Sequence, residues 1–252
     1  MHILLTNDDG IFSPGIRVLA EVLAEGGHRV SVCAPDRERS AASHSVTLGS
    51  TLRARPEAVP GAVRAWAVDG MPADCASLGL FLAGREEPVD MAVAGINRGM
   101  NLGGACIYSG TVGAAMEASM CGTQALAVSL CVDPKRGDAE DYRPAARLAL
   151  RVAEWMPGHP LPLGALYSLN VPPRPYEQLR GLVAATLAPV FLDEPYYEPA
   201  DGGGWRYRGR PRPFGDPHYD LTRIDQGFAT LTKLTWDFRL NADDAEMNEI
   251  GL

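Results

Sequence analysis

The chain has 252 residues, 46% of them hydrophobic, enough to bury a sizeable core as one large α/β domain or as a domain with a smaller subdomain. Its formal charge of −8 and the lack of a long basic run exclude binding of a nucleic-acid polymer through phosphate neutralisation. No uncharged apolar run reaches the roughly eighteen residues that a membrane helix needs, which excludes a spanning helix.

The N-terminus carries no basic stretch followed by an apolar one, so a cytoplasmic location is expected. The five cysteines, Cys33, Cys75, Cys106, Cys121 and Cys131, form no CxxC pair and no zinc-spaced cluster; they read as buried thiols in a reducing compartment.

Met1–Thr6 is an apolar run of the kind found in buried parallel strands, and it stops at Asn7-Asp8-Asp9-Gly10. Turn chemistry alone accounts for these four residues. Adjacent carboxylates repel, however, and a hard divalent cation such as Mg²⁺ or Mn²⁺ between them removes that cost. Ser13-Pro14-Gly15 opens a helix with apolar Ile16, Leu19 and Leu23, which ends at Gly26-Gly27. Arg29–Ala34 is a second strand, closed by Pro35-Asp36. The resulting βαβ unit predicts a parallel sheet with a ligand crevice at the strands' carboxyl ends, where Asp8 and Asp9 lie.

The polar segment 36–45 starts from the same end and carries Ser40 and His44. Val46–Ala54 and Val63–Val68 read as short strands. Gly70-Met71-Pro72 opens a helix running through Leu82, with Asp74 as a structural carboxylate at its start. Val89–Gly95 is a further strand that delivers Asn97 and Asn101 within a glycine-rich turn. Tyr108–Gly113 starts a helix to about Gly122, and its hydroxyl-rich N-terminus suits a phosphate; simple capping is the other reading of Ser109 and Thr111. Gln124–Cys131 reads as a strand, Tyr142–Trp155 as an amphipathic helix, and Ala165–Val171 as the last strand of the core sheet.

Residues 1–175 thus form an α/β core with a mostly parallel, Rossmann-like sheet and helices on both faces. Residues 176–252 form an extension rich in antiparallel hairpins, with strand-like patches at 182–187, 205–208 and 228–234 and a hairpin tip at 201–204. Its aromatics Tyr196, Tyr197, Trp205 and Tyr207 suit either cover for the sheet or a subunit interface. Arg208–Pro213 reads as a solvated turn.

Asp8-Asp9, Ser40 and Asn97 therefore converge on one sheet edge, and each supplies oxygen without histidine or cysteine, as a hard ion requires. With a glycine-rich turn and a hydroxylated helix start beside them, phosphate-ester chemistry follows.

Thr6–Gly10 with Ser13-Pro14-Gly15, Ala34-Pro35-Asp36 with Arg39-Ser40-Ala41, His44–Thr47, Gly70–Cys75, Gly95–Gly103 and Tyr108–Ala115 resemble, in order and spacing, the blocks of the SurE family of survival protein E nucleotidases. The resemblance implies a metal-dependent phosphomonoesterase acting on nucleoside 5′- and 3′-monophosphates, in some members also on polyphosphate. It implies one divalent cation per subunit, held by Asp8, Asp9, Ser40 and Asn97, and a phosphate-binding region at Asn101 with Ser109-Gly110-Thr111. It also implies a C-terminal extension used in a homodimer or homotetramer. The expected reaction is in-line attack of water on phosphorus with Asp8 or Asp9 as base. His44 reads either as a loop residue near the substrate or as a solvated one. Three other readings are an aspartyl-phosphate enzyme, a nucleotide-binding module without turnover, and a serine acyl hydrolase using Ser109 and His44. Ser109 lies in no G-x-S-x-G elbow, which speaks against the last.

Overall fold

The computed structural model describes residues 1–132, 140–189, 197–207 and 215–236. Tyr196 and the Arg208–Pro213 turn lie outside the described residues.

The chain opens with β1 (His2–Thr6), α1 (Pro14–Glu25) and β2 (Arg29–Pro35), the expected βαβ unit. β3 (Ala54–Glu57), β4 (Arg64–Val68), α2 (Pro72–Gly84) and β5 (Met91–Arg98) follow, then a short 3₁₀ helix (Gly103–Tyr108), α3 (Gly110–Met120) and β6 (Gln124–Leu130). The core closes with α4 (Arg143–Trp155) and β7 (Ala165–Val171). β8 (Leu182–Ala184), β9 (Tyr197–Ala200), β10 (Gly204–Tyr207), α5 (Asp220–Asp225) and β11 (Ala229–Thr235) complete the described elements.

Nine strands form one sheet in the order β3-β4-β2-β1-β5-β6-β7-β11-β8. β2 and β5 flank β1 on opposite sides, both parallel to it. The chain therefore reverses its direction of travel across the sheet at β1, and the loops after β1 and β5 diverge there into a crevice.

Alternation along the strands sorts residues by size. Val93, Leu126 and Val128 face the layer of α1 and α4, with Ile16, Leu19, Ala149 and Val152. Ala92, Ala94, Ala125 and Ala127 face the layer of α2 and α3, where Ala114, Ala115 and Ala118 meet them. Small residues on both sides let α3 lie close to the sheet, and its first turn is drawn down to the end of β1.

Three expectations need correction. The strand expected over Val46–Ala54 lies instead at Ala54–Glu57, a polar edge strand antiparallel to β4; Leu48, inside the expected span, is 86% exposed. Ala165–Val171 is not the last strand of the sheet, because β11 pairs antiparallel to it (Asn170 opposite Thr230) and β8 pairs parallel to β11. Cys121 is exposed, whereas the other four cysteines are buried; all five are free thiols. The separate β9–β10 pair is the expected antiparallel hairpin, with its turn at Asp201–Gly203. No helix among the described residues is long and apolar enough to cross a membrane.

Replacing Ala118, which is fully buried between α3 and the sheet, by leucine overpacks this layer. We expect Ala118→Leu to lower unfolding free energy by about 1–3 kcal/mol in denaturant titration.

Candidate metal and phosphate site

Asn7 ties the turn after β1 together. Its fully buried amide nitrogen donates to the Gly10 carbonyl at 2.9 Å and to Ser13 Oγ at 2.8 Å, and its oxygen accepts the Gly10 amide at 3.2 Å. Ser13 begins α1, but its hydroxyl serves Asn7 and makes no side-chain cap. The clamp aims Asp8 and Asp9 in different directions.

Asp8, 5% exposed, lies against the first turn of α3. Thr111 Oγ1 donates to Asp8 Oδ1 at 2.5 Å. A Cβ on Gly110 would come within 2.9 Å of Asp8 Cβ and 3.1 Å of Pro72 Cγ, so only glycine permits this approach. Burial pushes the Asp8 carboxyl upward, while the hydroxyl and backbone amide of Thr111 pull it back.

Asp9 Oδ2 accepts the backbone N–H of Arg98, the last residue of β5, at 3.0 Å. Burial and then the charge of Asp8 raise its carboxyl to about 6, against the Arg98 amide. Among the described residues neither carboxylate forms an ion pair. The Arg98 guanidinium turns instead to Glu140, at 2.9 and 2.5 Å.

Ser40 stands in the exposed loop after β2, where its hydroxyl donates to Glu38 Oε1 at 2.5 Å. That loop is fastened to the site by the Arg39 amide, which donates to the Asp8 carbonyl at 2.7 Å. Asn97, at the end of β5, donates its amide to the Gly99 carbonyl at 3.0 Å, leaving its oxygen available. Asp8-Asp9, Ser40 and Asn97 thus extend from the same ends of three adjacent strands, β1, β2 and β5.

Sequence patterns also bring in residues that the geometry occupies elsewhere. Asn101, 6% exposed, donates Nδ2 to Ser129 Oγ at 2.9 Å, and its backbone is held from both sides by Asn170. Ser109 caps α3, accepting the Val112 amide at 3.0 Å while keeping its own hydroxyl proton. His44 Nε2 meets Glu117 Oε2 of α3 at 2.8 Å, so no Ser109–His44 pair forms. Asp74 is the structural carboxylate expected: it accepts the Met71 and Thr47 amides and the Thr47 hydroxyl. Beside Ser43, His44 and Ser109 opens a cavity of about 1390 Å³, with apolar Val112 and Met116 on its α3 side.

A model of the family described as Survival protein SurE matches residues 3–191 of the chain. The chain belongs to the SurE family. It is similar to a protein named 5′-nucleotidase SurE from Synechococcus sp. (strain JA-3-3Ab), at 39% identity over 259 aligned positions, 100% of this chain and 98% of that one. A Nitrosococcus oceani protein of the same name is 40% identical, covering 94% of this chain and 92% of its own. The crystal structure of SurE protein from Aquifex aeolicus superposes with a TM-score of 0.80 at 29% identity, covering 99% of this chain and 98% of that one.

Against this SurE framework, sequence reading missed three residues that shape the site. Asn7 read only as a turn residue, although its 0% exposure makes it a buried clamp. Glu38 adds negative charge near both Asp8 and Asp9. Asp220 of α5 accepts the Gly103 amide at 2.7 Å across 117 residues, a partnership with no local signature.

Because the folded protein raises the Asp9 carboxyl to about 6, it binds that proton more tightly than the unfolded chain does. The group's stabilising effect is therefore present at low pH and is lost as pH rises through about 6. In chelator, Asp9→Asn should melt higher than the parent at about pH 7.5. That difference should shrink toward about pH 5, as differential scanning calorimetry would show.

Proposed function

We propose that this chain is a phosphomonoesterase that hydrolyses nucleoside 5′- and 3′-monophosphates to nucleoside and phosphate, with short polyphosphate as a further substrate. One observation carries the reading: two adjacent carboxylates, both raised by burial and Asp9 further by the charge of Asp8, with no ion pair among the described residues, at a strand end beside a helix N-terminus. The names of its SurE relatives support the substrate class.

The donor set fits a hard divalent cation, Mg²⁺ or Mn²⁺. Asp8, Asp9, Ser40 and Asn97 offer only oxygen, the donor that such a cation takes. When bound, such a cation neutralises the carboxylate pair, withdraws charge from phosphoryl oxygens and acidifies water.

The chain's own residues divide the remaining work. Asp8 is fixed by Thr111 and acts as a ligand of set orientation; Asp9 keeps Oδ1 free of hydrogen bonds from the described residues and serves as the general base. The Ser109 hydroxyl and the α3 N-terminus receive the phosphoryl group. Thr111 and Asn101 support that region indirectly, through Asp8 and through Ser129 and Asn170. The apolar cavity beside Ser109 accommodates the nucleoside, with His44 at its wall, held by Glu117.

Residues 1–175 form the catalytic core in this reading, and residues 176–252 extend it for assembly into a homodimer or homotetramer in the cytoplasm. Exposed Trp205 and Tyr197, 70% and 56% accessible, support an interface role for the hairpin.

Purified protein should release phosphate from nucleoside monophosphates over many turnovers with Mg²⁺ or Mn²⁺ and stop in EDTA. Asp9→Asn should reduce kcat by about 10²–10⁴-fold. Unchanged turnover in chelator would defeat the metal role, and binding of nucleotide without sustained release would indicate a binding module instead.

A further inference from the structure

We infer that Asp220 is a positioning residue for the phosphate-binding region, fixing the loop that leads into α3 from outside the catalytic core. The inference rests on the reading of the Ser109–Thr111 region as the phosphate cradle.

Asp220 is the first residue of α5 and is 1% exposed. Its carboxylate accepts three backbone N–H groups: Gly103 on Oδ2 at 2.7 Å, and Ala188 and Leu221 on Oδ1 at 3.0 and 2.8 Å. The Leu221 bond is local to α5. The other two join chain segments that are far apart in sequence. Among the described residues no salt bridge offsets the charge, so the backbone amides carry its solvation. Hydrogen bonds to a charged acceptor are the stronger kind.

Gly103 is gripped from a second side. It has φ +50, and a Cβ there would stand 3.0 Å from the Ala188 carbonyl oxygen and 3.3 Å from Ala188 Cβ. Just upstream, Asn101 is held by Ser129 of β6 and Asn170 of β7, while Leu102 is fully buried against Ile224 of α5. Downstream, the 3₁₀ helix Gly103–Tyr108 runs directly into Ser109, the cap of α3. Gly110 and Thr111 then meet Asp8. The Asp220 grip on Gly103 is therefore relayed over one short helix to the hydroxyl and amides that receive phosphate. Asn97 lies upstream of the gripped joint, at the end of β5, and Asp9 is held there by the Arg98 amide; the Ser40 loop meets the 3₁₀ helix at its far end, where Ser43 donates to the Ile107 and Tyr108 carbonyls.

This arrangement predicts a selective effect. In Asp220→Asn one of the two oxygens becomes an N–H₂ group, which faces a donor amide and cannot replace the lost bond. KM for nucleoside monophosphate and the inhibition constant of inorganic phosphate should each rise about ten-fold. kcat should stay within about three-fold, and Mn²⁺ affinity, measured by electron paramagnetic resonance on free enzyme, within about two-fold.

Gly103→Ala, which keeps Asp220 but strains the same joint, should give the same signature and stands in if Asp220→Asn does not fold. Val22→Ala, a core truncation in α1, serves as the control for general destabilisation. Unchanged KM and phosphate inhibition in folded Asp220→Asn or Gly103→Ala would overturn the inference. So would an equal rise in Val22→Ala, or a loss of Mn²⁺ affinity that accounts for the whole effect. A parent enzyme without turnover would sink the functional reading instead, and phosphate binding in the presence of Mn²⁺ would still test the joint.

Discussion

The contact between Asp8 and the first turn of α3 is the interaction on which the site depends. Consecutive aspartates at the mouth of a buried strand are unfavourable in isolation, because both are desolvated and the charge of Asp8 raises Asp9. The fold separates their duties. Thr111 and the positive end of α3 hold Asp8, while the Arg98 amide at the end of β5 holds Asp9. The same approach that orients Asp8 sets Gly110 and Thr111, at the start of α3, directly against it.

That approach is prepared deep in the core. Alanines on one face of β5 and β6 meet alanines of α3, whereas the opposite face carries the larger Val93, Leu126 and Val128. The asymmetry sets α3 low on the sheet. Gly110 completes it, since any side chain there would collide with Asp8. The C-terminal residues take part as well. β11 adds to the sheet beside β7, and α5 reaches Gly103, so the last described elements brace both the sheet and the loop.

Much of this architecture was legible in the sequence because its signals are local. The apolar run before Asp8, Pro14 at the start of α1 and Gly26-Gly27 at its end define the first βαβ unit without tertiary information. The residues that converge at the carboxyl ends follow from it, as do the blocks that match the SurE family. What escaped reading depends on partners distant in the chain. β3 is polar and exposed, with Arg55 and Glu57 facing water, so pairing with β4 rather than patterning makes it a strand. β11 has a strand's composition, but nothing in it announces β7 as its neighbour. Thr111 and Ser109 look alike in sequence as hydroxyls at a helix start. Only the fold assigns one to Asp8 and the other to the cap.

The central claim is that four oxygen-bearing side chains from three adjacent strand ends enclose one hard cation. Anomalous diffraction from crystals grown with Mn²⁺ tests it most directly. The account predicts a single peak within about 2.0–2.6 Å of Asp8, Asp9, Ser40 and Asn97 oxygens, with Ser40 turned away from Glu38. Failure of Mn²⁺ to bind there at saturating concentration, or a peak held by other residues, would contradict it.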